Sequence, residues 1–408
     1  MILHFIRLVA ICGLLITLSA CGNANPTPEN TPAPTIAGPG DTFSTAQPPP
    51  PTWQSPVRPM NRGNVFEMQL LGRLDFLGTP STIFAHAFSP DGTRLVGINN
   101  THLVGWDLIT GEFIINNTHQ RAQYLFYSVD KTQLYTILMD GRLAIYSADT
   151  GVLETELMGH ERFNGVATYD SFNGWLALGG NDGSILVWDM IEGLMLSAIT
   201  AHTGDITNLV FSPDGTRLAS SGADGKNYVW DWEKRELVFN VTNADVPTIR
   251  MAFHPSGDTL AIATNEVITM WDMQSGQFIH SLPTGAGGSD SLLQFSPNGK
   301  FLINGGEIPD MMVWAGDGDN HFLAFLPEMG AGRISAQFSP DSELLLTSKL
   351  DGETSLWDMT QITDETVVRA NINPASTRVV FVDWSPDSFT ITFFDASGSI
   401  YVWGLPQS

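Results

Sequence analysis

A Trp-Asp dipeptide recurs at an almost constant interval, and this repeat constrains the fold more than any other feature of the sequence. The dipeptide occurs five times, and other aromatic residues mark the positions where it is degenerate. The eight markers are Trp106, Tyr146, Trp188, Trp230, Trp271, Trp314, Trp357 and Trp403. Successive markers lie 40 to 46 residues apart. A fixed period of this length indicates a repeat architecture in which each repeat is one supersecondary unit.

A second motif precedes most of the markers and keeps the same phase. It reads Ser-Pro-Asp-Gly at Ser89–Gly92 and Ser212–Gly215, and related turns occur in most other repeats. Pro fixes φ at the first corner of such a turn, Asp bonds the nearby backbone, and Gly accepts a positive φ. Alternating apolar residues flank each turn, which predicts a β-hairpin. The marker strand and the segment after it would complete four strands per repeat.

The period and the dipeptide together resemble the WD40 family, in which each repeat corresponds to one four-stranded blade of a β-propeller. The resemblance implies an all-β, WD40-type propeller. Eight markers predict eight blades, and seven remains the alternative if the unit around Tyr146 or Trp314 fails to form a blade. The last repeat lacks its outer strand, and Phe66–Phe76 is strand-like at the matching offset. We therefore expect this N-terminal strand to close the ring, which would remove exposed sheet edges.

WD40 blades often contain a hydrogen-bonded tetrad of His, Ser or Thr, Asp and Trp. The resemblance places a complete tetrad at His202, Ser220, Asp224 and Trp230. It also implies related structural positions in other repeats: His119, Thr136, Asp140, His160, Asp182, Trp188, Thr347, Asp351 and Trp357. In two of these repeats Tyr146 replaces the Trp and Leu178 replaces the hydroxyl residue. A catalytic Ser would be unique, exposed and next to an oxyanion hole, so repetition with the blade favours a structural role.

The first residues of the chain resemble the signal peptide of bacterial lipoproteins. An apolar run from Leu8 to Ala20 is too short to span a bilayer but typical of a secretory signal. Leu18-Ser19-Ala20-Cys21 resembles a lipobox, which implies removal of residues 1–20 and attachment of lipid to Cys21. An ordinary signal peptide and an uncleaved anchor are the alternatives. The only other cysteine, Cys12, lies in the segment expected to be removed.

The segment 21–62 differs sharply in composition from the rest of the chain. It contains 11 of the 24 prolines and few apolar side chains. Such a segment cannot bury enough surface to offset the entropy lost on ordering. We expect a disordered tether at 21–62 and the propeller at 63–408.

Charge and motifs restrict the function. The net charge of −24 opposes binding to nucleic acid; it would keep an exposed protein soluble and also allows a basic partner. No CxxC, HExxH or Walker loop occurs, and the sequence indicates no metal, cofactor or catalytic residue. It therefore predicts a non-catalytic, extracytoplasmic scaffold that binds proteins or peptides and contacts the membrane through its lipid alone. The alternative is a cell-envelope propeller enzyme, or a glycan- or peptide-binding protein, with its site at the channel mouth. The sequence does not indicate an oligomeric state.

Overall fold

The computed structural model describes residues 53–75, 83, 85–242, 246–284, 292–305, 311–317, 321–326, 335–349, 353–362, 369–372 and 379–406. Two short 3-10 helices, Val65–Glu67 and Met359–Gln361, accompany 32 β-strands in these residues. Within the same residues, no helix is long and apolar enough to cross a membrane.

The strands form eight antiparallel four-stranded sheets, which are the blades of a propeller. Blades 1 to 4 consist of β2 (Ala85–Phe88), β3 (Arg94–Ile98), β4 (His102–Asp107), β5 (Phe113–Thr118); β6 (Ala122–Tyr127), β7 (Gln133–Leu138), β8 (Leu143–Ser147), β9 (Leu153–Leu157); β10 (Phe163–Asp170), β11 (Trp175–Gly180), β12 (Ser184–Asp189), β13 (Leu194–Thr200); and β14 (Ile206–Phe211), β15 (Arg217–Gly222), β16 (Asn227–Asp231), β17 (Glu236–Asn240).

Blades 5 to 8 repeat this order, except that blade 8 takes its outer strand from the N-terminal side of the chain. They consist of β18 (Arg250–Phe253), β19 (Thr259–Ala263), β20 (Val267–Asp272), β21 (Phe278–Pro283); β22 (Leu292–Phe295), β23 (Phe301–Gly305), β24 (Met311–Ala315), β25 (Phe322–Leu326); β26 (Ser335–Phe338), β27 (Leu344–Ser348), β28 (Thr354–Asp358), β29 (Arg369–Ile372); and β30 (Val379–Trp384), β31 (Thr390–Asp395), β32 (Ile400–Gly404), β1 (Gln69–Leu74).

The prediction of eight blades is confirmed, and the seven-blade alternative is wrong. The units marked by Tyr146 and Trp314 both form complete sheets. The expected closure is also present, because β1 pairs antiparallel with β32 and brings Leu70 opposite Trp403. Strands from both ends of the described chain therefore share one blade, so the ring cannot open without breaking a ladder of backbone hydrogen bonds.

The core lies between neighbouring blades. The first strand of a blade contacts the first strand of the next, so these strands surround the axis of the ring. One typical cluster joins Ala219 and Val229 of blade 4 to Leu260 and Trp271 of blade 5. Burial of apolar area between sheets is the main stabilising contribution. Each blade therefore needs a neighbour on both sides to bury its two faces.

The two sequence motifs stabilise turns at the same end of each blade. Ser89 Oγ accepts a hydrogen bond from the backbone amide of Arg94 at 2.9 Å, and Gly92 has a φ of 73°. The Asp of the Trp-Asp dipeptide acts in the turn between the third and fourth strands. Asp189 Oδ1 accepts from the backbone amide of Ile191 at 2.9 Å. The dipeptide thus supplies a core aromatic and a turn carboxylate with adjacent residues.

The tether expected at 21–62 ends earlier than the sequence predicts. Trp53 Nε1 donates to the carbonyl oxygen of Ile109 at 3.1 Å, and Met60 is 2% exposed within the core of blades 7 and 8. Gly72 and Gly111 admit the indole ring, since a Cβ at either would lie 2.2–2.3 Å from an atom of Trp53. A Pro-rich composition conceals these contacts because few of the residues are apolar. Residues 1–52, including Cys21, lie outside the described part.

Candidate functional site

The four residues of the expected tetrad lie in one chain of hydrogen bonds in blade 4. His202 precedes β14, Ser220 lies on β15, Asp224 is in the next turn, and Trp230 is on β16. His202 Nδ1 lies 3.0 Å from Asp224 Oδ1, and His202 Nε2 lies 2.8 Å from Ser220 Oγ. Trp230 Nε1 donates to Ser220 Oγ at 2.9 Å. The chain of bonds connects the loop, the turn and two strands of one blade.

The protonation states of this tetrad follow from burial. Burial lowers the pKa of His202, although Asp224 acts in the opposite direction. Burial alone would raise the pKa of Asp224, but hydrogen bonds from the backbone amides of Thr203 and Lys226 and from His202 bring it below its ordinary value. A neutral His202 then donates from Nδ1 and accepts at Nε2. Ser220 is fully buried, so its hydroxyl cannot meet a substrate, and the arrangement is structural.

Blade 3 builds a different network because Leu178 replaces the hydroxyl residue on its second strand. His160 Nε2 instead lies 3.0 Å from Ser184 Oγ, which donates to Asp182 Oδ1 at 2.5 Å. Burial lowers the pKa of His160. Trp188 Nε1 is buried and has no hydrogen-bond partner. The sequence reasoning missed Ser184, although a hydroxyl two residues after the turn Asp was a visible signal.

Blade 2 does not bring its expected residues together. His119 Nε2 lies 2.9 Å from the carbonyl oxygen of Asn99 in blade 1, and Asp140 pairs with Arg142 at 2.9 Å. Thr136 Oγ1 donates to a backbone carbonyl at 3.4 Å. The implied network of His119, Thr136 and Asp140 is therefore absent: the His119 ring contacts a backbone carbonyl, and Asp140 pairs with Arg142.

Blade 7 retains the part of the tetrad that joins its second and third strands. Trp357 Nε1 donates to Thr347 Oγ1 at 2.9 Å. The expected turn residue of this blade, Asp351, lies outside the described residues. Blade 6 makes an equivalent bond from Trp314 to Asn304 at 2.8 Å. A side-chain amide can therefore replace the hydroxyl at this position.

A cavity of about 500 Å³ opens beside the first strands of blades 1 to 3. It lies at the end of the propeller that carries the Ser-Pro-Asp-type turns, because Pro90 and Pro386 of those turns contribute to its wall. Its walls are formed by aromatic and small side chains, with three polar ones. The lining residues are Ala85, His86, Ala87, Phe88, Pro90, Tyr124, Leu125, Phe126, Tyr127, Val129, Ala167, Thr168, Tyr169, Ser171 and Pro386.

Ring contacts hold the aromatic wall in place. Phe126 lies 5.9 Å from Tyr124 and 5.0 Å from Tyr169, measured between ring centroids. His86 Nε2 bonds Asp383 Oδ2 at 2.9 Å, and the imidazole stacks on Phe381 at 5.1 Å. These contacts connect blades 1, 2, 3 and 8. The cavity therefore has a preformed, largely apolar wall, which is typical of ligand sites.

The tyrosines of the cavity wall are uncharged, and aspartates lie next to the lining residues along the chain. Burial raises the pKa of Tyr127 and of Tyr169, and nearby carboxylates act in the same direction. Both hydroxyls therefore remain protonated, and both are shielded from water without a hydrogen-bond partner. Asp91, Asp130 and Asp170 directly follow the lining residues Pro90, Val129 and Tyr169 along the chain. None of these three carboxylates lines the cavity, and Asp91 is paired with Lys131 at 3.1 Å.

The described part of the chain contains no group of three or more His, Cys, Asp or Glu side chains that could hold a metal ion. The cavity also lacks the charged side chains that line hydrolytic or redox sites. Among its lining residues, the sole ionisable group besides the tyrosines is His86. The lining therefore offers mainly apolar contacts.

Comparisons with known proteins agree with this architecture. The WD40 family model, described as WD domain, G-beta repeat, matches residues 151–189 and 193–231. These segments end at the Trp-Asp dipeptides of blades 3 and 4.

Two solved structures resemble the whole propeller. The computationally designed Ika8 protein is 20% identical, with a TM-score of 0.66 over 81% of this chain and 98% of that protein. The C-terminal WD40 domain of Sif2 is 13% identical, with a TM-score of 0.64 over 83% of this chain and 99% of that domain. At these identities the likeness concerns the fold alone. The chain is an eight-bladed β-propeller that contains WD40 repeats.

Proposed function

We propose that this propeller is a non-catalytic scaffold that binds a protein or peptide partner in the cavity of blades 1 to 3. WD40 propellers typically mediate protein interactions. The observation that carries the proposal is the preformed aromatic cavity. Aromatic side chains provide large contact areas at low entropic cost and are enriched at binding hot spots. The net charge of −24 would accelerate association with basic partners, an effect that salt weakens.

The same cavity offers little support for catalysis. An enzyme needs a nucleophile, an acid or base, or a metal at the reacting atoms. His86 is 8% exposed, and its Nε2 is already engaged by Asp383. The Ser220, His202 and Asp224 arrangement is buried and part of blade 4, away from this cavity. These features favour binding over the alternative of an envelope enzyme acting on glycans or peptides.

A substitution that fills the cavity tests the proposal. Ala87 lines the cavity on β2, and Ala252 has the equivalent position on β18 of blade 5. Proteins captured from an envelope extract by wild type at low salt should be captured by Ala252→Phe and lost by Ala87→Phe. Thermal unfolding should show that both variants remain folded. If Ala87→Phe captured the same proteins as wild type, the proposal would be contradicted. If wild type turned over a glycan or peptide and Ala87→Phe did not, the enzyme alternative would be favoured.

We further propose that the scaffold acts outside the cytoplasm and is held at a membrane by lipid on Cys21. This proposal rests on the lipobox-like sequence and the apolar run before it. Because the chain packs against the propeller from Trp53 onward, the tether would extend over residues 21–52. In an extended polyproline II conformation, these 32 residues would reach about 100 Å. Labelling with palmitate in the native host should mark wild type and not Cys21→Ser, and equal labelling would contradict the anchor.

A further inference from the structure

The outer strand of blade 3 presents an unusual amount of apolar surface to solvent. β13 is the last strand of its sheet, and Leu194, Met195 and Leu196 are 59%, 51% and 38% exposed. Ile191, in the turn before the strand, is 60% exposed. We call these four residues the edge patch. An edge strand has unpaired backbone N–H and C=O groups, and an apolar edge is a template for pairing with another chain.

Three other outer strands, β9, β17 and β21, contain a charged residue or a Pro that protects against such pairing. β9 carries Glu154 and Glu156 on the edge, and β21 ends in Pro283. Neither β9, β17 nor β21 exposes more than two large apolar side chains within the strand, whereas β13 exposes three. Charges and Pro are the usual devices that block edge pairing, and β13 contains neither.

The edge patch continues across the boundaries of blade 3. On one side, a Cβ at Gly193 would lie 3.7 Å from Leu157 Cδ1 of blade 2. On the other side, Arg235 Nη2 of blade 4 donates to the carbonyl oxygen of Leu196 at 3.4 Å. Leu237, on the adjacent outer strand β17, is 48% exposed. Exposed apolar side chains therefore lie on the outer strands of both blade 3 and blade 4, and β13 carries most of them.

The charges around these apolar side chains are mainly acidic. Glu192, Glu233 and Glu236 are exposed in or beside the turns that border β13 and β17. Lys234 is occupied by an ion pair with Asp231. A second copy of this chain would bring the same carboxylates and a net charge of −24 to the contact, and like charges across an interface oppose association. A segment with basic ends would complement them.

We propose that β13 binds an extended segment of a partner protein, which adds to blade 3 as a fifth strand. Backbone hydrogen bonds to the open edge supply the pairing, and alternate apolar side chains of the segment cover the edge patch. Lys or Arg residues at the end of the segment beside the turns before β13 and β17 contact Glu192, Glu233 and Glu236. This surface is separate from the cavity at the ring axis, so the inference does not depend on the function proposed for that cavity.

A fluorescent synthetic peptide with alternating Val and Thr between Lys termini tests the inference by fluorescence anisotropy. Leu194→Lys combined with Leu196→Lys should weaken binding at least about tenfold, because two apolar contacts are lost and positive charge is added. The matched control is Phe278→Lys with Ile279→Lys on β21, where the original side chains are 45% and 43% exposed. This control adds the same charge and should bind the peptide as wild type does.

A second probe separates strand pairing from nonspecific adhesion. N-methylation of alternate peptide amides removes donors on one edge of the peptide, and the methylated peptide should bind at least about tenfold more weakly. Equal binding of both peptides, equal loss in the β21 control, or no binding to wild type would overturn the proposal. It would also be overturned if ultracentrifugation showed a wild-type dimer that the β13 variant abolishes, since the occupant would then be a second copy.

Discussion

Replacing Trp230 by Phe should destabilise the protein more than replacing Trp188 by Phe. The two residues have the same position in neighbouring blades, and each is 8% exposed. Both replacements remove the same volume from the core. Trp230 Nε1 donates to Ser220 Oγ at 2.9 Å, whereas Trp188 Nε1 is buried without a partner because Leu178 occupies the corresponding position. The difference between the two variants therefore reports how the indole N–H is accommodated in each blade.

The magnitude follows from what each replacement does to the indole N–H. In blade 4 a buried hydrogen bond is lost, which costs about 1 kcal/mol. In blade 3 an unsatisfied buried donor is removed, which recovers about 1–3 kcal/mol of desolvation penalty. Trp230→Phe should then lower the free energy of unfolding by about 2–4 kcal/mol more than Trp188→Phe.

Equilibrium unfolding in urea, followed by circular dichroism, measures this difference, provided that both variants keep the wild-type dependence on urea. A double-mutant cycle with Ser220→Ala should give a coupling energy of about 1 kcal/mol with Trp230→Phe and none with Trp188→Phe. Equal destabilisation by the two Trp replacements would refute the reasoning, since the tetrad would then contribute nothing beyond the packing of its ring.

Three further predictions concern single groups. Burial lowers the pKa of His202 in the folded state, so the unfolded state binds more protons below about pH 6.5. The contribution of His202 to the free energy of unfolding should therefore be full above that pH and decline below it. Urea unfolding at several pH values would measure this decline. Ser388→Gly should raise the free energy of unfolding by about 1 kcal/mol because Ser388 has a φ of 63°, whereas Ser342→Gly should gain less in the same assay, since Ser342 Oγ accepts a backbone amide hydrogen bond at 3.0 Å. Tyr127→Phe should leave the melting temperature unchanged or higher because its buried hydroxyl has no partner, and Tyr124→Phe should lower it by removing a 2.8 Å bond to a backbone carbonyl.

The features that repeat along the chain were predictable from sequence. Each Trp-Asp marker fixes the phase of a third strand, and each Ser-Pro-Asp-type turn fixes the hairpin before it. Blade 2 shows why even a degenerate repeat forms a blade: Tyr146 is 3% exposed and fills the position of the missing Trp. Burial of any large aromatic at this position provides the required packing, so the count of eight did not depend on the dipeptide being complete.

The hydrogen-bond networks were less predictable because they depend on local competition between partners. Sequence spacing placed His119 and His202 at equivalent positions, yet their rings have different partners. In blade 2 the guanidinium of Arg142 takes the carboxylate of Asp140, whereas in blade 4 Asp224 remains available to His202. Sequence spacing places these residues near one another, but it does not determine which of several donors forms a hydrogen bond with a given acceptor.

The cavity arises where the first strands depart from the repeat, which is why no spacing argument could locate it. Phe126 has the register position that Ala87 has in blade 1 and Ala252 has in blade 5. Tyr127 and Tyr169 replace the Phe found at their position in blades 1, 4, 5, 6 and 7. A position that serves only the fold tolerates the same residue in each blade, whereas a binding surface must differ between blades to recognise an asymmetric partner. We therefore propose that recognition is concentrated on the irregular residues of the first strands of blades 2 and 3.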